Sequence, residues 1–339
     1  MDKSAPGLRV EGEPNDTFGQ AMAVQLDESG RARLVGTISP PDDVDVYSLG
    51  ELLAGDRIIL DVGTPNSNLD ATVAIFDGGG RLVYENDDRD FALSQYDPFI
   101  NHVVRHDSLV YYAAITSSPL NPNNGSYEAL LTIVRGGEVP PTAGQIVALD
   151  FDGGTVSIEG EVYSVGPFDT ADIDAAYAGM TAEVIARIEE VVRSNYDGLQ
   201  LDVRVVGRDR LEAGCSYSTL LFGGRNRAAY GLAENIDLYN DDRCDDAIIY
   251  TGMFTPQRFG RVLTALELGT AIGNVASHEL GHLLGLNHVA NVLDIMDTTG
   301  AAVTFLDDQR FMVSPLDASI FPFGLQDGWM LLTQTLGPR

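Results

Sequence analysis

Residues 278–288 read His-Glu-Leu-Gly-His-Leu-Leu-Gly-Leu-Asn-His, and this stretch decides how the chain is interpreted. On an α-helix, residues four apart lie within about 40° of one another and about 6 Å apart along the axis, so His278 and His282 direct two imidazoles to one point. Gly285 can adopt the left-handed conformation that ends a helix, which turns the chain back and brings His288 to the same point. The spacing predicts three histidine ligands for one zinc ion.

Glu279 follows the first histidine and lies about 100° around the helix from it, beside the metal rather than on it. Structural zinc sites usually fill all four positions with protein ligands, whereas three histidines leave one position open for water. Zinc would lower the pKa of this water from about 15.7 toward 7, and Glu279 would accept its proton and pass it to the leaving amine. The pattern therefore predicts a hydrolytic enzyme, a zinc metallopeptidase that acts on a protein or peptide substrate.

Other interpretations of these residues stay open. The histidines could lie on an ordinary amphipathic core helix. No glutamate follows Glu279, but an aspartate could replace the third histidine as a ligand, with the candidates Asp294, Asp297, Asp307 and Asp308. The chain could also be an inactive binding or adhesion protein with a relic metal site, or a zinc amidase that acts on non-protein amide bonds. The intact Glu279 favours an active enzyme, because a relic site has no need of it.

The segment resembles the metzincin clan of zinc endopeptidases, because it matches the long HExxHxxGxxH signature at every fixed position. Members of this clan have a methionine turn beneath the metal, and the resemblance implies that Met296, in Asp294-Ile295-Met296-Asp297, takes that place. Astacins and serralysins have a tyrosine two residues after this methionine, where the present chain has Thr298. The resemblance is therefore nearer to the matrixin or adamalysin type.

The chain before residue 136 has the pattern of β-structure. Short runs rich in β-branched and aromatic residues alternate with turn signals, and Asp-Gly-Gly-Gly at 77–80 joins two runs as a hairpin. This predicts an all-β sandwich over residues 8–135 and a linker over 136–144, where glycines and two adjacent prolines interrupt regular structure. Residues 8–135 also resemble the bacterial pre-peptidase C-terminal domain, through Glu13-Pro14-Asn15-Asp16 and Asp42-Asp43-Val44-Asp45-Val46-Tyr47. The resemblance leaves three roles open: secretion, substrate binding, or covering the cleft before activation.

The aspartates of this half are candidate calcium ligands, because hard cations prefer carboxylate and carbonyl oxygens. No twelve-residue EF-hand pattern is present, and loop aspartates are also common as solvated turn residues. His102 and His106 are four residues apart, but their stretch has no helical pattern. We expect them at the surface or in turns and not in a second metal site.

Residues 145–339 are predicted to form an α/β (α+β) metzincin-like catalytic domain, with a twisted mixed sheet and a zinc-binding active-site helix. The resemblance places Ala247–Tyr250 at the sheet edge that borders the cleft, although an interior strand remains an alternative. It also places the segment after Met296, including Pro315–Trp329, in the wall of the pocket that takes the side chain after the cleaved bond. The residue pattern predicts strands at 146–151, 201–206 and 247–250, a helix through residue 191 capped by Thr170, and the motif helix at about 263–284.

Composition limits the partners and the compartment. The net charge of −29 argues against nucleic acid or an anionic membrane as a partner, because both require a cationic surface. There is no apolar run of 18 residues, so no membrane span is expected. The start of the chain has no apolar segment typical of a signal peptide. Cys215 and Cys244 could form one disulfide, with a stabilisation of about 3 kcal/mol, in an enzyme that we expect to be secreted or extracellular.

Overall fold

The structure is a computed structural model that describes residues 7–90, 92–158, 160–211, 214 and 216–339. The chain divides into two compact units. The first contains the residues up to Pro141 together with Leu316–Leu325, and the second contains Thr142–Pro315 with Gln326–Arg339. This division differs from the predicted domains, because the sequence predicted that residues 145–339 are continuous within one domain. Residues 316–325 group instead with the first unit.

The first unit is a β-sandwich. One sheet has the order β1-β3-β10-β5-β8, and the other has the order β2-β4-β9-β6-β7. The core between the sheets takes side chains from both, such as Leu60 and Leu131 from one sheet and Val73 and Ile115 from the other. The strands are β1 (Gly7–Val10), β2 (Met22–Ala23), β3 (Arg31–Ile38), β4 (Val44–Leu52), β5 (Arg57–Gly63), β6 (Ala71–Asp77), β7 (Leu82–Asn86), β8 (Phe99–Val103), β9 (Ser108–Ser117) and β10 (Gly125–Val134).

Strand β6 is buried along its whole length, which a strand with one solvated face would not be. Successive side chains of a strand point to opposite faces of the sheet. Val73 and Ile75 enter the core between the sheets, while Ala74 and Phe76 belong to a separate apolar cluster. The hairpin predicted at residues 77–80 is present, because β6 pairs antiparallel with β7.

Residues Leu316–Leu325, which we call the aromatic loop, supply the cover for this outer cluster. Phe321 has no exposed surface, and its ring centroid lies 5.4 Å from that of Phe76 in an edge-to-face contact. Phe323 packs in the same way on Phe18, at 5.1 Å. The end of the loop is fixed by its backbone, since Leu325 N donates to Gly80 O at 2.9 Å. The first unit thus completes its core with residues from near the end of the chain.

The second unit has a mixed sheet in the order β14-β11-β15-β17-β16, in which only β16 runs antiparallel to its neighbour among the described strands. Helices α2 and α4 pack against each other and contribute to the same core as the sheet. The elements are β11 (Gln145–Asp150), β12 (Gly154–Ile158), β13 (Glu161–Val165), α1 (Thr170–Ile173), α2 (Thr181–Asn195), β14 (Leu201–Val205), β15 (Ser218–Phe222), β16 (Gly231–Ala233), β17 (Asp246–Ile249), α3 (Pro256–Phe259), α4 (Ala265–Leu283), β18 (Val313–Pro315), β19 (Leu325–Asp327) and α5 (Gly328–Leu336).

The helix that the sequence predicted after Thr170 is interrupted. Helix α1 ends after one turn, because Asp174 takes an extended conformation and its side chain caps a short 3-10 turn. The cap of α1 is Asp169, whose side chain accepts from Ala171 N. The predicted cap, Thr170, uses its hydroxyl to donate to Tyr177 O at 2.7 Å. Helix α2 begins only at Thr181, after the left-handed Gly179. In the part of the chain that the structure describes, no helix is long and apolar enough to cross a membrane.

Candidate metal centre

Helix α4 carries the first part of the predicted site, and both of its ends are defined by local contacts. Its N-terminus has a capping box, in which the Thr264 side chain and the Glu267 side chain each accept from the other residue's backbone N–H. At its C-terminus, Gly285 N donates to His282 O and Leu286 N donates to Gly281 O. This pair of bonds is the Schellman arrangement, and it requires the left-handed φ of +92° found at Gly285. The glycine therefore turns the chain as predicted.

The three histidines of the motif come together after this turn. His282 Nε2 lies 3.1 Å from His278 Nε2 and 3.0 Å from His288 Nε2, and the three residues form a group able to hold a metal ion. Zinc bonds to histidine nitrogen of about 2.0–2.1 Å with tetrahedral angles place the ligand nitrogens about 3.3 Å apart. The observed spacing is close to this value, so the nitrogens fit one zinc ion.

The ring orientations fix which nitrogen faces the metal position. His278 Nδ1 donates to Ile295 O and His282 Nδ1 donates to Leu286 O, both at 2.8 Å. With the proton on Nδ1, each Nε2 keeps its lone pair for a metal, which is the usual arrangement around zinc histidines. Burial lowers the pKa of His278 to about 4 and that of His282 well below its usual value. Both rings are therefore neutral, as metal ligands must be.

Glu279 lies beside these nitrogens, and the neighbouring strand holds its carboxyl in place. The residue is 6% exposed, and its carboxylate accepts a hydrogen bond from the Ala233 N–H of β16. A Cβ atom at Gly231 would lie 2.5 Å from Glu279 Cγ, so only glycine leaves room for the carboxyl there. Burial raises the pKa of Glu279 to about 8, and a divalent cation at the histidines would lower it again.

Met296, the predicted methionine of the turn, packs against Gly281 of α4. It is fully buried, and a Cβ atom at Gly281, between two of the histidines, would lie 2.5 Å from its Sδ. The turn is tied to the third histidine, because Val289 N donates to Met296 O at 3.0 Å. Its second tie is Asp294 Oδ1, which accepts from Met296 N at 3.0 Å. The role of Met296 as the floor of the metal site stays a prediction.

The aspartates considered as alternative ligands serve other purposes. Asp294 binds Met296 N and the Ser314 hydroxyl. Asp297 lines the cleft, and its carboxylate accepts from Thr299 Oγ1 and Gly300 N. Asp307 and Asp308 are exposed. Among the described residues, no aspartate belongs to the histidine group.

A cleft of about 780 Å³ opens over the histidines. Its apolar part includes Val275, Ile295, Ala302 and Phe305, and Thr298 also lines it. None of its lining residues in the described chain comes from Pro315–Trp329. The prediction that the segment after Met296 forms a pocket wall is therefore wrong for Pro315–Trp329, whereas Thr298, Ala302 and Phe305 of that segment do line the cleft. Residues Leu316–Leu325 pack in the first unit instead.

The strand bordering the cleft is β16 and not the predicted 247–250 segment. β17 covers most of that segment and lies inside the sheet, between β15 and β16. In the antiparallel pair β16–β17, Tyr250 N donates to Tyr230 O and Glu234 N donates to Asp246 O. By alternation, the backbone groups of Gly231 and Ala233 point away from β17. A three-residue strand has too few residues to show periodicity, which is why the sequence pattern missed it.

A second group of carboxyl side chains lies in the first unit. Its members are Glu11, Glu13, Asp16, Asp43 and Asp45, whose oxygens form two overlapping groups able to hold a cation. Asn15 lies among them with no exposed surface, and its Nδ2 donates to Asp45 Oδ1 at 2.9 Å. Its own Oδ1 is buried and makes no hydrogen bond in the described structure. Burial, and next to it the neighbouring Glu11, raises the pKa of Asp45 to about 8, so the ionised form of this carboxyl is unfavourable without a cation beside it.

Two further sequence predictions have different outcomes. His102 was expected at the surface or in a turn, but it lies in β8 and is only 5% exposed. That expectation was wrong because the stretch is a strand, and alternation along a strand buries every second side chain. The predicted bridge between Cys215 and Cys244 involves a residue, Cys215, that lies outside the described residues. The disulfide stays a prediction.

Comparisons with known proteins give only distant likenesses. No family model matches the chain, and no curated protein matches it. Among solved structures, archaemetzincin from Methanopyrus kandleri is 14% identical with a TM-score of 0.29, and the match covers 50% of this chain and 87% of that one. A zinc-dependent peptidase from Methanocorpusculum labreanum is 14% identical with a TM-score of 0.28, over 49% of this chain and 93% of that one.

A β-domain is also among the solved structures that resemble part of the chain. The pre-peptidase C-terminal domain of collagenase from Bacillus anthracis is 14% identical with a TM-score of 0.25, and the match covers 34% of this chain and 94% of that domain. All three scores are too low for these likenesses to support a family assignment.

Proposed function

We propose that the protein is a zinc-dependent peptidase. The main support is the convergence of three histidine nitrogens in a cleft that also contains Glu279. His282 Nε2 lies 3.1 Å from His278 Nε2 and 3.0 Å from His288 Nε2. His278, His282 and His288 would hold the zinc ion. When bound, zinc would supply the Lewis acidity that polarises a carbonyl and acidifies water.

The protein's own contribution to the reaction is proton transfer. The Glu279 carboxylate would accept a proton from the attacking water and deliver it to the nitrogen of the leaving amine. The N–H of Ala233 keeps the carboxylate oriented, and the close backbone of Gly231 limits its movement. A general base held in this way needs little reorganisation during the reaction.

An extended peptide suits this cleft better than a compact substrate. β16 is the terminal strand of its sheet in the described structure. The backbone groups of Gly231 and the carbonyl of Ala233 point away from β17, while the Ala233 N–H is already bound to Glu279. A substrate strand could add to this edge through main-chain hydrogen bonds. This supports a protein or peptide substrate over the amide bonds of a non-protein polymer.

The test is zinc content and cleavage of a mixed peptide library by the purified chain, beside Glu279→Ala. We expect one zinc ion per chain in both proteins and cleavage only in the unchanged one. A control is Glu190→Gln, which changes an exposed glutamate on α2 and should leave cleavage intact. Bound zinc without cleavage in the unchanged protein would favour a relic site, and cleavage restricted to non-peptide amides would favour an amidase.

We also propose that a calcium ion binds in the first unit, among the cluster of carboxyl side chains around Asn15. The buried Asn15 Oδ1 without a hydrogen bond supports this, because an unsatisfied buried oxygen is costly unless it has a partner. Amide and carboxylate oxygens are the ligands that calcium prefers. The ion would also relieve the repulsion between the carboxyls.

Calcium binding predicts a melting temperature that rises with calcium and falls with EGTA. Asp45→Asn and Asn15→Ala should lose this dependence, while Glu51→Gln, at an exposed position of the same unit, should keep it. An identical melting temperature with and without calcium would contradict the proposal. A secreted or extracellular location is part of the proposed function. The Cys215–Cys244 disulfide would be tested by the mass of the protein after thiol alkylation, because bridged cysteines do not react.

A further inference from the structure

Both backbone groups of the residue before the third histidine are bound by one buried side chain. Gln326 is 1% exposed. Its Oε1 accepts from Asn287 N and its Nε2 donates to Asn287 O, both at 2.7 Å. This fixes the peptide plane on either side of Asn287. His288 is therefore positioned by a residue that is 38 positions further along the chain and directly follows the aromatic loop.

The residues just before the aromatic loop hold the methionine turn in a similar way. Ser314 Oγ donates to Asp294 Oδ2 at 2.6 Å and accepts from Asn291 Nδ2 at 2.9 Å. Pro315 O accepts from Ala290 N at 2.9 Å. The carbonyl of Ile295 in this turn is the acceptor that orients the His278 ring. Two of the three histidines thus depend on contacts made at the two ends of one loop.

The aromatic loop itself is closed and firmly held. Leu316 N donates to Gly324 O at 3.1 Å, which closes the loop where it begins and ends. Phe321, at its tip, is fully buried beside Phe76 in the core of the first unit.

We propose that Gln326 and Ser314 form a brace for the metal centre, as positioning residues for His288 and the methionine turn. His278 and His282 lie on α4, whereas His288 lies beyond its end, so its position is only as fixed as the contacts around it. The inference rests on the proposed function in one respect, namely that these histidines bind zinc.

The first experiment measures hydrogen exchange in the metal-free full chain, over peptides that cover residues 286–297. Gln326→Ala should raise the exchange rate of the Asn287 and Val289 amides at least about tenfold, because their acceptors are lost or loosened. The matched control is Gln145→Ala, since Gln145 is equally buried and also binds through its side chain, to Ser218 and Arg243. Equal exchange over 286–297 in all three proteins would overturn the brace.

The second experiment measures the zinc dissociation constant by competition with a chelator. Gln326→Ala and Ser314→Ala should each weaken zinc binding about 10- to 100-fold, as changes to outer-shell contacts usually do. Gln145→Ala should leave it unchanged. Zinc binding as tight in Gln326→Ala as in the unchanged protein would contradict the positioning role.

Absence of peptide cleavage with intact zinc binding would refute the peptidase alone. Hydrogen exchange tests the brace even if the unchanged protein binds no zinc.

Discussion

Residue 231 decides where the proposed general base can lie. Glu279 has its carboxyl against the backbone of β16, and any side chain at 231 would occupy the same space. The three atoms nearest to a Cβ atom at Gly231 all belong to Glu279, and none belongs to a histidine. A side chain at position 231 should therefore disturb proton transfer by Glu279 without disturbing metal binding by the histidines.

Gly231→Ala should displace the Glu279 carboxyl and lower kcat about 100-fold, because misplacement of a catalytic group by about 1 Å has an effect of that size. Zinc content should stay at the level of the unchanged protein. The measurement is kcat for a peptide identified in the library screen, with zinc determined on the same samples. Glu190→Gln is the control, since Glu190 is exposed on α2 and does not line the cleft. Loss of zinc together with activity in Gly231→Ala would contradict this separation.

His102 should make stability dependent on pH. Burial, with Arg105, Arg57 and His106 nearby, lowers its pKa from 6.5 to about 3, so the folded state keeps the ring neutral. The unfolded chain binds a proton below about pH 6.5, and the folded chain does not until about pH 3. The associated stability is complete above pH 6.5 and decreases by about 1.4 kcal/mol for each pH unit below it.

Urea unfolding at pH 7, 6 and 5 would measure this effect. His102→Phe has no proton to gain, so its free energy of unfolding should fall less than that of the unchanged protein over this range. The carboxyl groups titrate in both proteins and cancel in the difference. Parallel pH dependence in the two proteins would show that His102 is protonated in the folded state.

At the level of the elements, α4 depends on how it ends. Gly285 is left-handed, and a Cβ atom there would lie 2.6 Å from Leu238 Cα. The helix end is therefore packed against a neighbouring backbone as well as turned. Asp237 N donates to His282 O, so this packing is next to a metal ligand.

Gly285→Asn separates the two requirements of this position. Asparagine tolerates the left-handed conformation, but its Cβ atom still meets Leu238. We expect Gly285→Asn and Gly285→Ala to lose zinc affinity to a similar extent, and both to unfold at lower temperature. Titration with zinc and thermal melting would measure these changes. Full affinity in Gly285→Asn alone would mean that conformation and not contact is the requirement.

The sequence predicted the elements that are long or chemically marked, and missed those set by distant contacts. Three histidines and a glycine at fixed spacing are sufficient to predict the metal group, because helix geometry relates them locally. The edge strand is too short to be detected by period, and its position depends on pairing with β17. Thr170 was chosen as a cap from its residue type, but Asp169 beside it has the longer, charged acceptor and takes that role.

For the whole molecule, the grouping of residues 316–325 was beyond prediction from sequence. The aromatic loop has no pattern of its own that indicates a partner, and Phe76 lies about 240 residues away along the chain. The sequence gives one indication of this grouping, namely that β6 has apolar residues on both faces. A strand without a polar face requires other residues to cover it on each side. Gln326 was missed for a similar reason, because a lone glutamine does not indicate which backbone groups it will bind.

Removal of the residues up to Pro141 should therefore not yield a soluble, monodisperse protein. It would leave the apolar side chains of Leu316, Ile320, Phe321 and Phe323 without the strands they cover. We expect the truncated chain to aggregate and to bind a hydrophobic dye. A second truncation in which a short turn replaces residues 316–324 should be more soluble. Light scattering and dye fluorescence would compare the two, and a monodisperse first truncation would contradict the expectation.

The aromatic loop also affects the order in which the protein can be completed during synthesis. The strands of the sandwich leave the ribosome first, but Phe321 follows the linker by roughly 180 residues, about 10 to 40 s later at ordinary rates of translation. Until then, Phe18 and Phe76 form an uncovered aromatic surface on a nascent chain. The sandwich is thus the first unit to be made and the last to be finished, and a chaperone that shields aromatic surface would have its main task during that interval.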